Sequence, residues 1–138
     1  MRVAAPPPNR RCPTANLSRE NVVLAAAIDV GTNSVLLTVG ERLADGEVRI
    51  LEERSEITRL GQGVDHARTL RAEAMERTAT AVAGFASRAR ELGAVHLRVV
   101  GTSAARDARN ATEFACLLRQ RAGVELEILS GEEEARLS

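Results

Sequence analysis

The chain has 138 residues, 44% of them hydrophobic, which fits a single globular domain that can bury a core. Its 19 basic and 19 acidic residues are interspersed, which excludes a charged tail that binds polyanions. All the basic residues are arginine, and this excludes lysine-dependent chemistry such as a P-loop or a Schiff base. Phe85 and Phe114 are the only aromatic residues, so we expect no stacking platform for DNA or RNA bases.

The N-terminal region predicts neither a membrane span nor a structured segment. Residues 1–20 contain Pro6-Pro7-Pro8 and Pro13 with little apolar content, which predicts a disordered extension. The apolar run at 22–28 is too short to cross a bilayer, and we interpret it as a buried strand. Cys12 and Cys116 lie far apart, so no disulfide framework or metal cluster is predicted, and a reducing cytoplasm fits best.

The first half of the chain predicts a β-meander followed by a long helix. Strand-like runs cover 22–30, 35–42 and 48–57, and Asp45-Gly46 predicts a hairpin turn between the second and third. After Gly61-Gln62-Gly63, apolar residues recur at helical spacing from Leu70 to Leu92, before Gly93.

The second half of the chain alternates strands with helices. Residues 95–100 form a fourth strand, whose apolar character is expected when both faces are covered. Asn110 with Glu113 predicts a capping box for a helix that runs to about Ala122, before Gly123. A fifth strand at 124–129 and a second capping box, Ser130 with Glu133, then open a final helix.

The element order β-β-β-α-β-α-β-α predicts an α/β fold. We expect a domain over residues 21–138 with a mixed five-stranded sheet, in which right-handed crossovers extend an antiparallel meander with parallel strands. Three polar segments each begin where a strand-like run ends, so all three are expected at one edge of the sheet. The segments are Asp29-Val30-Gly31-Thr32-Asn33-Ser34, Gly101-Thr102-Ser103-Ala104-Ala105-Arg106 and Ser130-Gly131-Glu132-Glu133-Glu134-Ala135-Arg136.

The first segment has the composition of a phosphate-binding loop. A tight turn at Gly31 would let backbone N–H groups and the side chains of Thr32, Asn33 and Ser34 approach an anion. Asp29 at the strand end would hold a hydrated Mg²⁺ against the phosphate. The alternative is an ordinary hairpin turn rich in Gly and Asn.

The other two segments supply a cation and a base. Arg106 lies where its guanidinium can bind phosphate oxygens through two parallel hydrogen bonds, although a solvated surface arginine is the alternative. Glu134 is a candidate to take a proton from an attacking water. The helix dipole alone offers a different explanation of the three acidic residues at 132–134.

Together these segments closely resemble the N-terminal half of the exopolyphosphatase and guanosine pentaphosphate phosphatase family. The resemblance runs from about Leu24 to the last residue and includes the segment Ile57-Thr58-Arg59-Leu60-Gly61-Gln62-Gly63-Val64-Asp65. The family belongs to the superfamily of actin, sugar kinases and heat-shock chaperone ATPases. The resemblance therefore implies a ribonuclease H-like fold in which two subdomains face each other across a cleft.

The resemblance also implies a role for each site residue. Asp29 would hold Mg²⁺, the residues from Gly31 to Ser34 would form the first phosphate loop, Arg106 would grip phosphate, and Glu134 would be the general base. The implied substrate is inorganic polyphosphate or guanosine pentaphosphate, and the family allows a homodimer of a full-length parent.

The family's second phosphate loop, of the type Asp-x-Gly-Gly-Gly-Ser, does not occur in this sequence. We therefore expect a truncated form of the phosphatase that is inactive alone. Two alternatives from other classes stay open at this point. One is an ATP-binding domain like those of actin and the sugar kinases, against which the arginine and Glu-Glu segments argue. The other is a non-catalytic nucleotide-binding module.

Overall fold

The computed structural model describes residues 22–137, without the side chains of Asp65, His66 and Leu137. Its five strands are β1 (Val23–Val30), β2 (Ser34–Arg42), β3 (Val48–Ile57), β4 (His96–Gly101) and β5 (Leu126–Ile128). Its helices are α1 (Val64–Ala67), α2 (Ala72–Glu91), α3 (Ser103–Asp107), α4 (Ala111–Ala122) and α5 (Gly131–Leu137). The short helices α1 and α3 fall in segments that the sequence patterns predicted as loop or turn.

The strands form one mixed sheet in the order β3-β2-β1-β4-β5. The meander β1-β2-β3 is antiparallel, whereas β4 pairs parallel to β1 and β5 pairs parallel to β4. Parallel neighbours need crossover connections, and α2 and α4 are those connections. The predicted mixed five-stranded sheet is thus confirmed, with the predicted element order extended only by the two short helices.

The core lies between one face of the sheet and the helices α2 and α4. Alternate residues of β1 point into it, and Ile28 is fully buried. Phe114 of α4 is fully buried in the same cluster, and Val82 and Ala86 of α2 are buried with it. Period-two burial along β1 is what a strand with one covered face requires.

The sequence interpretation was wrong about the second face of the sheet. Residues 95–100 were expected in a strand covered on both faces, but β4 alternates between buried and more exposed positions, as β1 does. On the open face a groove of about 570 Å³ is lined by residues of β1 to β4, among them Ala25, Ala27, Thr38 and Ile50. Small and β-branched side chains explain the apolar run, because they suit a pleated surface whether or not it is covered.

The first predicted capping box is wrong, and the second is confirmed. The Asn110 side chain makes no capping bond to α4. Instead it accepts a hydrogen bond from the Leu70 N–H at 2.8 Å and donates one to the Leu70 carbonyl at 3.0 Å. At the start of α5, the Ser130 N–H donates to Glu133 Oε2 at 2.8 Å and the Glu133 N–H donates to Ser130 Oγ at 3.2 Å.

The predicted turn at Gly46 and the predicted helix ends at Gly93 and Gly123 are confirmed. Gly46 in the β2–β3 turn, Gly93 after α2 and Gly123 after α4 all have positive φ angles, of 90°, 94° and 66° respectively. Residues with a β-carbon rarely adopt this region, so glycine suits these three positions. The predicted extension at 1–20 lies outside the described residues. Within residues 22–137, no helix has both the length and the apolar character needed to cross a bilayer.

We predict that Asn110→Ala destabilises the chain by about 1–3 kcal/mol, because it leaves both backbone groups of the buried Leu70 without their partner. Glu113→Ala is the matched control and should cost only a few tenths of a kcal/mol, since no capping box joins it to Asn110. Urea unfolding of both variants measures the difference. Equal losses would restore the capping-box interpretation.

Candidate functional site

The loop that joins β1 to β2 is a tight turn with unpaired amides. The Gly31 N–H donates to the Ser34 carbonyl at 2.9 Å, and a β-carbon on Gly31 would also lie 2.9 Å from that oxygen. Glycine is therefore needed for the turn. Within residues 22–137, the N–H groups of Thr32 and Asn33 donate to no protein acceptor. Free amides in such a turn favour an anion.

A second loop, residues 58–63, holds this turn in place. The Thr58 and Arg59 N–H groups both donate to the Asn33 carbonyl at 3.0 Å, and the Gly61 N–H donates to the Thr32 carbonyl at 2.9 Å. A β-carbon on Gly61 would lie 2.2 Å from Thr32 Cγ2, so only glycine permits this approach. These contacts use the carbonyls of the turn and leave its amides available.

The turn is also bonded to the segment that follows β4. Thr32 Oγ1 and Ser103 Oγ lie 2.9 Å apart, within hydrogen-bonding distance. Ser103 begins helix α3, which carries Arg106 in its last turn. One hydroxyl pair thus links the first two polar segments that the sequence singled out.

Arg106 joins the second segment to the third. Its Nη1 donates to the Leu129 carbonyl and to Glu134 Oε2, each at 3.3 Å. Its Nε donates to Asp107 Oδ1, also at 3.3 Å. Nη2 donates to no acceptor within the described part of the chain. The guanidinium is therefore oriented by its neighbours and keeps two N–H donors for a ligand.

Asp29 lies close enough to Glu134 for the two carboxylates to repel each other. Partial burial raises the pKa of Asp29, and the negative charge of Glu134 raises it further. A cation between or beside the two carboxylates would relieve this repulsion. Oxygen donors are what Mg²⁺ prefers, and it is often held by only one or two carboxylates together with phosphate and water. These residues therefore fit Mg²⁺, although no group of three or more metal-ligating side chains occurs within residues 22–137.

The structure brings the predicted site residues to one edge of the sheet. Asp29, Arg106 and Glu134 lie together there, and the Thr32 side chain is bonded to the same region through Ser103. Asn33 contributes its backbone to the loop contacts, and no hydrogen bond of the Ser34 side chain is formed with the described residues. Their roles in binding and catalysis stay predictions.

Ser103 and the 58–63 loop were not among the predicted site residues. Ser103 stands in the segment Gly101-Thr102-Ser103 that the sequence did single out, so its hydroxyl after a strand end was the available signal. The loop offered a weaker one, the pair Gly61 and Gly63, which was interpreted as a break before the long helix and as part of a segment that resembles the family, but not as part of the site.

We predict that Asp29→Asn raises the free energy of unfolding at neutral pH. Folding raises the pKa of Asp29. The protonated side chain therefore contributes fully to the free energy of unfolding below the unfolded pKa of about 3.9, and this contribution is lost as the pH rises through the folded pKa. The amide never ionises, so the advantage of the variant should shrink as the solution is acidified. Urea unfolding at neutral and mildly acidic pH measures this. Glu53→Gln, which removes an exposed carboxylate from β3, is the control, and equal effects of both variants would contradict the prediction.

Comparisons with known proteins identify relatives of this chain. The profile of the Ppx/GppA phosphatase family matches residues 40–138. Exopolyphosphatase 2 of Mycobacterium tuberculosis is 41% identical over 121 residues, which cover 82% of this chain and 38% of that protein. The guanosine-5'-triphosphate,3'-diphosphate pyrophosphatase of Vibrio vulnificus is 38% identical over 115 residues, which cover 83% of this chain and 23% of that protein.

The fold is shared with solved members of the family. The crystal structure of the Aquifex aeolicus member superposes with a TM-score of 0.79 and 31% identity, over 83% of this chain and 37% of that chain. The expected fold class, a ribonuclease H-like subdomain of the actin-like superfamily, is thereby confirmed. The chain spans less than two fifths of the length of these relatives. On this evidence the chain belongs to the Ppx/GppA phosphatase family.

Proposed function

We propose that this chain forms one wall of the active site of a phosphoanhydride hydrolase, which removes the terminal phosphate from inorganic polyphosphate or guanosine pentaphosphate. The observation that carries the proposal is the cluster at the sheet edge, where Arg106 contacts Glu134 at 3.3 Å and Glu134 raises the pKa of Asp29. A carboxylate with a perturbed pKa, here Asp29, beside an oriented guanidinium is typical of functional sites. The names of the curated relatives support both substrates.

In this proposal the terminal phosphate of the substrate lies against the β1–β2 turn. The free N–H groups of Thr32 and Asn33 donate to its oxygens, and Arg106 Nη2 donates from the other side. Donors held by a rigid framework stabilise charge without reorganising during the reaction. The contacts from the 58–63 loop and from Ser103 supply that rigidity.

The chemical step is attack of water on the terminal phosphorus. Glu134 accepts a proton from the water as its oxygen bonds to phosphorus. The bond from phosphorus to the bridging oxygen breaks, and the departing phosphate chain keeps the electron pair. Inorganic phosphate and a substrate shortened by one phosphate are the products. Arg106 orients the Glu134 carboxylate through its contact to Oε2.

Mg²⁺ belongs to the proposal as the cofactor that Asp29 would hold. When bound, it would neutralise charge on the phosphate oxygens and position them. Asp29 and Glu134 offer hard oxygen donors, and the repulsion between them is what a cation relieves. The free carboxylate of Asp29 is therefore assigned to the ion and not to proton transfer.

For a parent protein of the length of the curated relatives, we predict that Glu134→Gln lowers kcat for polyphosphate by about 10²-fold or more. The amide can still accept a hydrogen bond from Arg106 but cannot take a proton, so polyphosphate binding should survive. Glu132→Gln, at an exposed position in the same helix turn, is the matched control and should keep its activity. Steady-state phosphate release and direct binding measure the two effects. If binding and turnover fell equally, Glu134 would be a structural residue.

For residues 1–138 alone, we predict no hydrolysis of polyphosphate or guanosine pentaphosphate at an enzyme-like rate. One wall leaves the substrate half solvated, and electrostatic stabilisation depends on donors in a site that excludes water. Mg²⁺-dependent phosphate release by the purified chain is the measurement, and Glu134→Gln excludes a contaminating phosphatase. Release that this substitution abolishes would show that the chain carries a complete site.

A further inference from the structure

The arginines of this chain divide into paired and unpaired groups. Those on the strands β3 and β4 and on the helix α4 all form ion pairs with carboxylates, for example Arg98 with Glu127 at 2.8 Å and Arg119 with Glu125 at 2.7 Å. By contrast, the guanidiniums of Arg59, Arg68, Arg71 and Arg109 form no ion pair or hydrogen bond with any described residue. We call these four residues the arginine rim.

Backbone contacts bring the rim residues near one another in pairs and near the β1–β2 turn. The backbone of Arg59 is bonded to Asn33 of that loop, and the Arg109 N–H donates to the Arg68 carbonyl at 2.7 Å. Arg71 Nε would lie 2.7 Å from a β-carbon on Gly63, so its guanidinium lies over that glycine. The rim therefore extends from the phosphate loop to the segment that follows Arg106.

Two members of the rim have an unfavourable backbone conformation. Arg59 and Arg68, with φ angles of 52° and 54°, are the only residues other than glycine with positive φ within residues 22–137. Glycine would adopt this conformation without the steric cost that a β-carbon imposes. What arginine offers at these positions is its side chain, and strained residues in proteins cluster at ligand sites.

We propose that the arginine rim binds the distal phosphates of a long inorganic polyphosphate chain whose terminal phosphate occupies the proposed active site. This inference rests on the proposed function and deepens it by naming the substrate class. Guanidiniums without carboxylate partners can form two-pronged bonds to phosphate without breaking an ion pair. A linear polyphosphate presents a continuous row of phosphates to them, whereas the five phosphates of guanosine pentaphosphate are divided between the 5′ and 3′ positions of its ribose.

Nucleic acid is the other linear polyanion, and the structure argues against it. Phe114 is fully buried and Phe85 is 8% exposed, so neither offers a surface for base stacking. Stacking on aromatic side chains is the usual source of affinity for single-stranded bases. The rim therefore recognises phosphate alone, which is all that inorganic polyphosphate presents.

The test measures binding of two ligands to the 138-residue chain at low ionic strength. We expect tripolyphosphate to occupy the proposed active site, and long-chain polyphosphate of defined length to reach the rim as well. Arg59→Gln should weaken binding of the long chain by about two- to fivefold. Arg42→Gln, an unpaired arginine at the opposite end of the sheet, is the matched control and should have no effect.

Replacing all four rim arginines with glutamine should weaken binding of the long chain by at least about tenfold and change tripolyphosphate binding little. The salt dependence of binding should also fall, by about one unit of log–log slope per arginine removed. Thermal unfolding checks that the fourfold variant still folds. If the fourfold variant does not fold, the comparison of Arg59→Gln with Arg42→Gln for binding of long-chain polyphosphate is the test of the rim.

The outcomes separate the rim from the proposed function. Arg106→Lys should weaken binding of tripolyphosphate, because a point charge cannot replace a guanidinium fork. If Arg106→Lys weakens tripolyphosphate binding while the rim variants leave binding of the long chain unchanged, the rim proposal is wrong and the proposed active site is supported. Failure of the chain to bind either ligand overturns both. Single-stranded RNA of equal charge that binds as tightly through the same arginines overturns the assignment to polyphosphate.

Discussion

The parallel pairing of β1, β4 and β5 is the constraint on which the rest of the site depends. In the register of the sheet, Val30 pairs with Gly101 and Gly101 pairs with Ile128, so the three strands end at one level. The residues that follow parallel strands must then lie at the same edge. Segments that are some 70 and 100 positions apart in the chain are thereby brought together at one edge of the sheet.

The β1–β2 turn takes its shape from hydrogen bonds with its surroundings. The carbonyls of Thr32 and Asn33 accept hydrogen bonds from backbone N–H groups of the 58–63 loop. Arg77 of α2 in turn holds that loop by donating to the Thr58 carbonyl at 3.1 Å. The long helix that covers the core therefore also supports the site. Such support matters because donors stabilise a developing charge only when they are already oriented.

Charge in this protein is balanced overall and unbalanced locally. Equal numbers of acidic and basic residues give a formal net charge of zero. Yet two carboxylates repel each other at the sheet edge, and the four guanidiniums of the neighbouring rim form no ion pair with any residue that the structure describes. A divalent cation would relieve the repulsion between the carboxylates, and a polyanion would pair with the guanidiniums, as we propose. The distribution of charge along the chain excluded a charged tail. A basic surface assembled from separate loops cannot be predicted in this way, because its arginines form no continuous basic run in the sequence.

Hydrophobic periodicity and glycine positions were enough to predict the five strands, the two long helices and their order, because these patterns are local. The capping box at Ser130 and Glu133 was predictable for the same reason, since both partners lie within one helical turn. The same pattern failed at Asn110, whose side chain bonds to Leu70, 40 residues earlier in the chain, and no local rule anticipates such a partner.

What the sequence by itself determined was the set of elements and the polar segments that follow them. Only the tertiary structure decided that Ser103 meets Thr32, that Arg106 meets Glu134, and that the second face of the sheet is open. The positive φ angles at Arg59 and Arg68 likewise arise from how their loop packs, since arginine has no preference for that conformation. The physical reason is common to all of these: each depends on contacts between residues distant in the chain, and such contacts exist only once the sheet has formed.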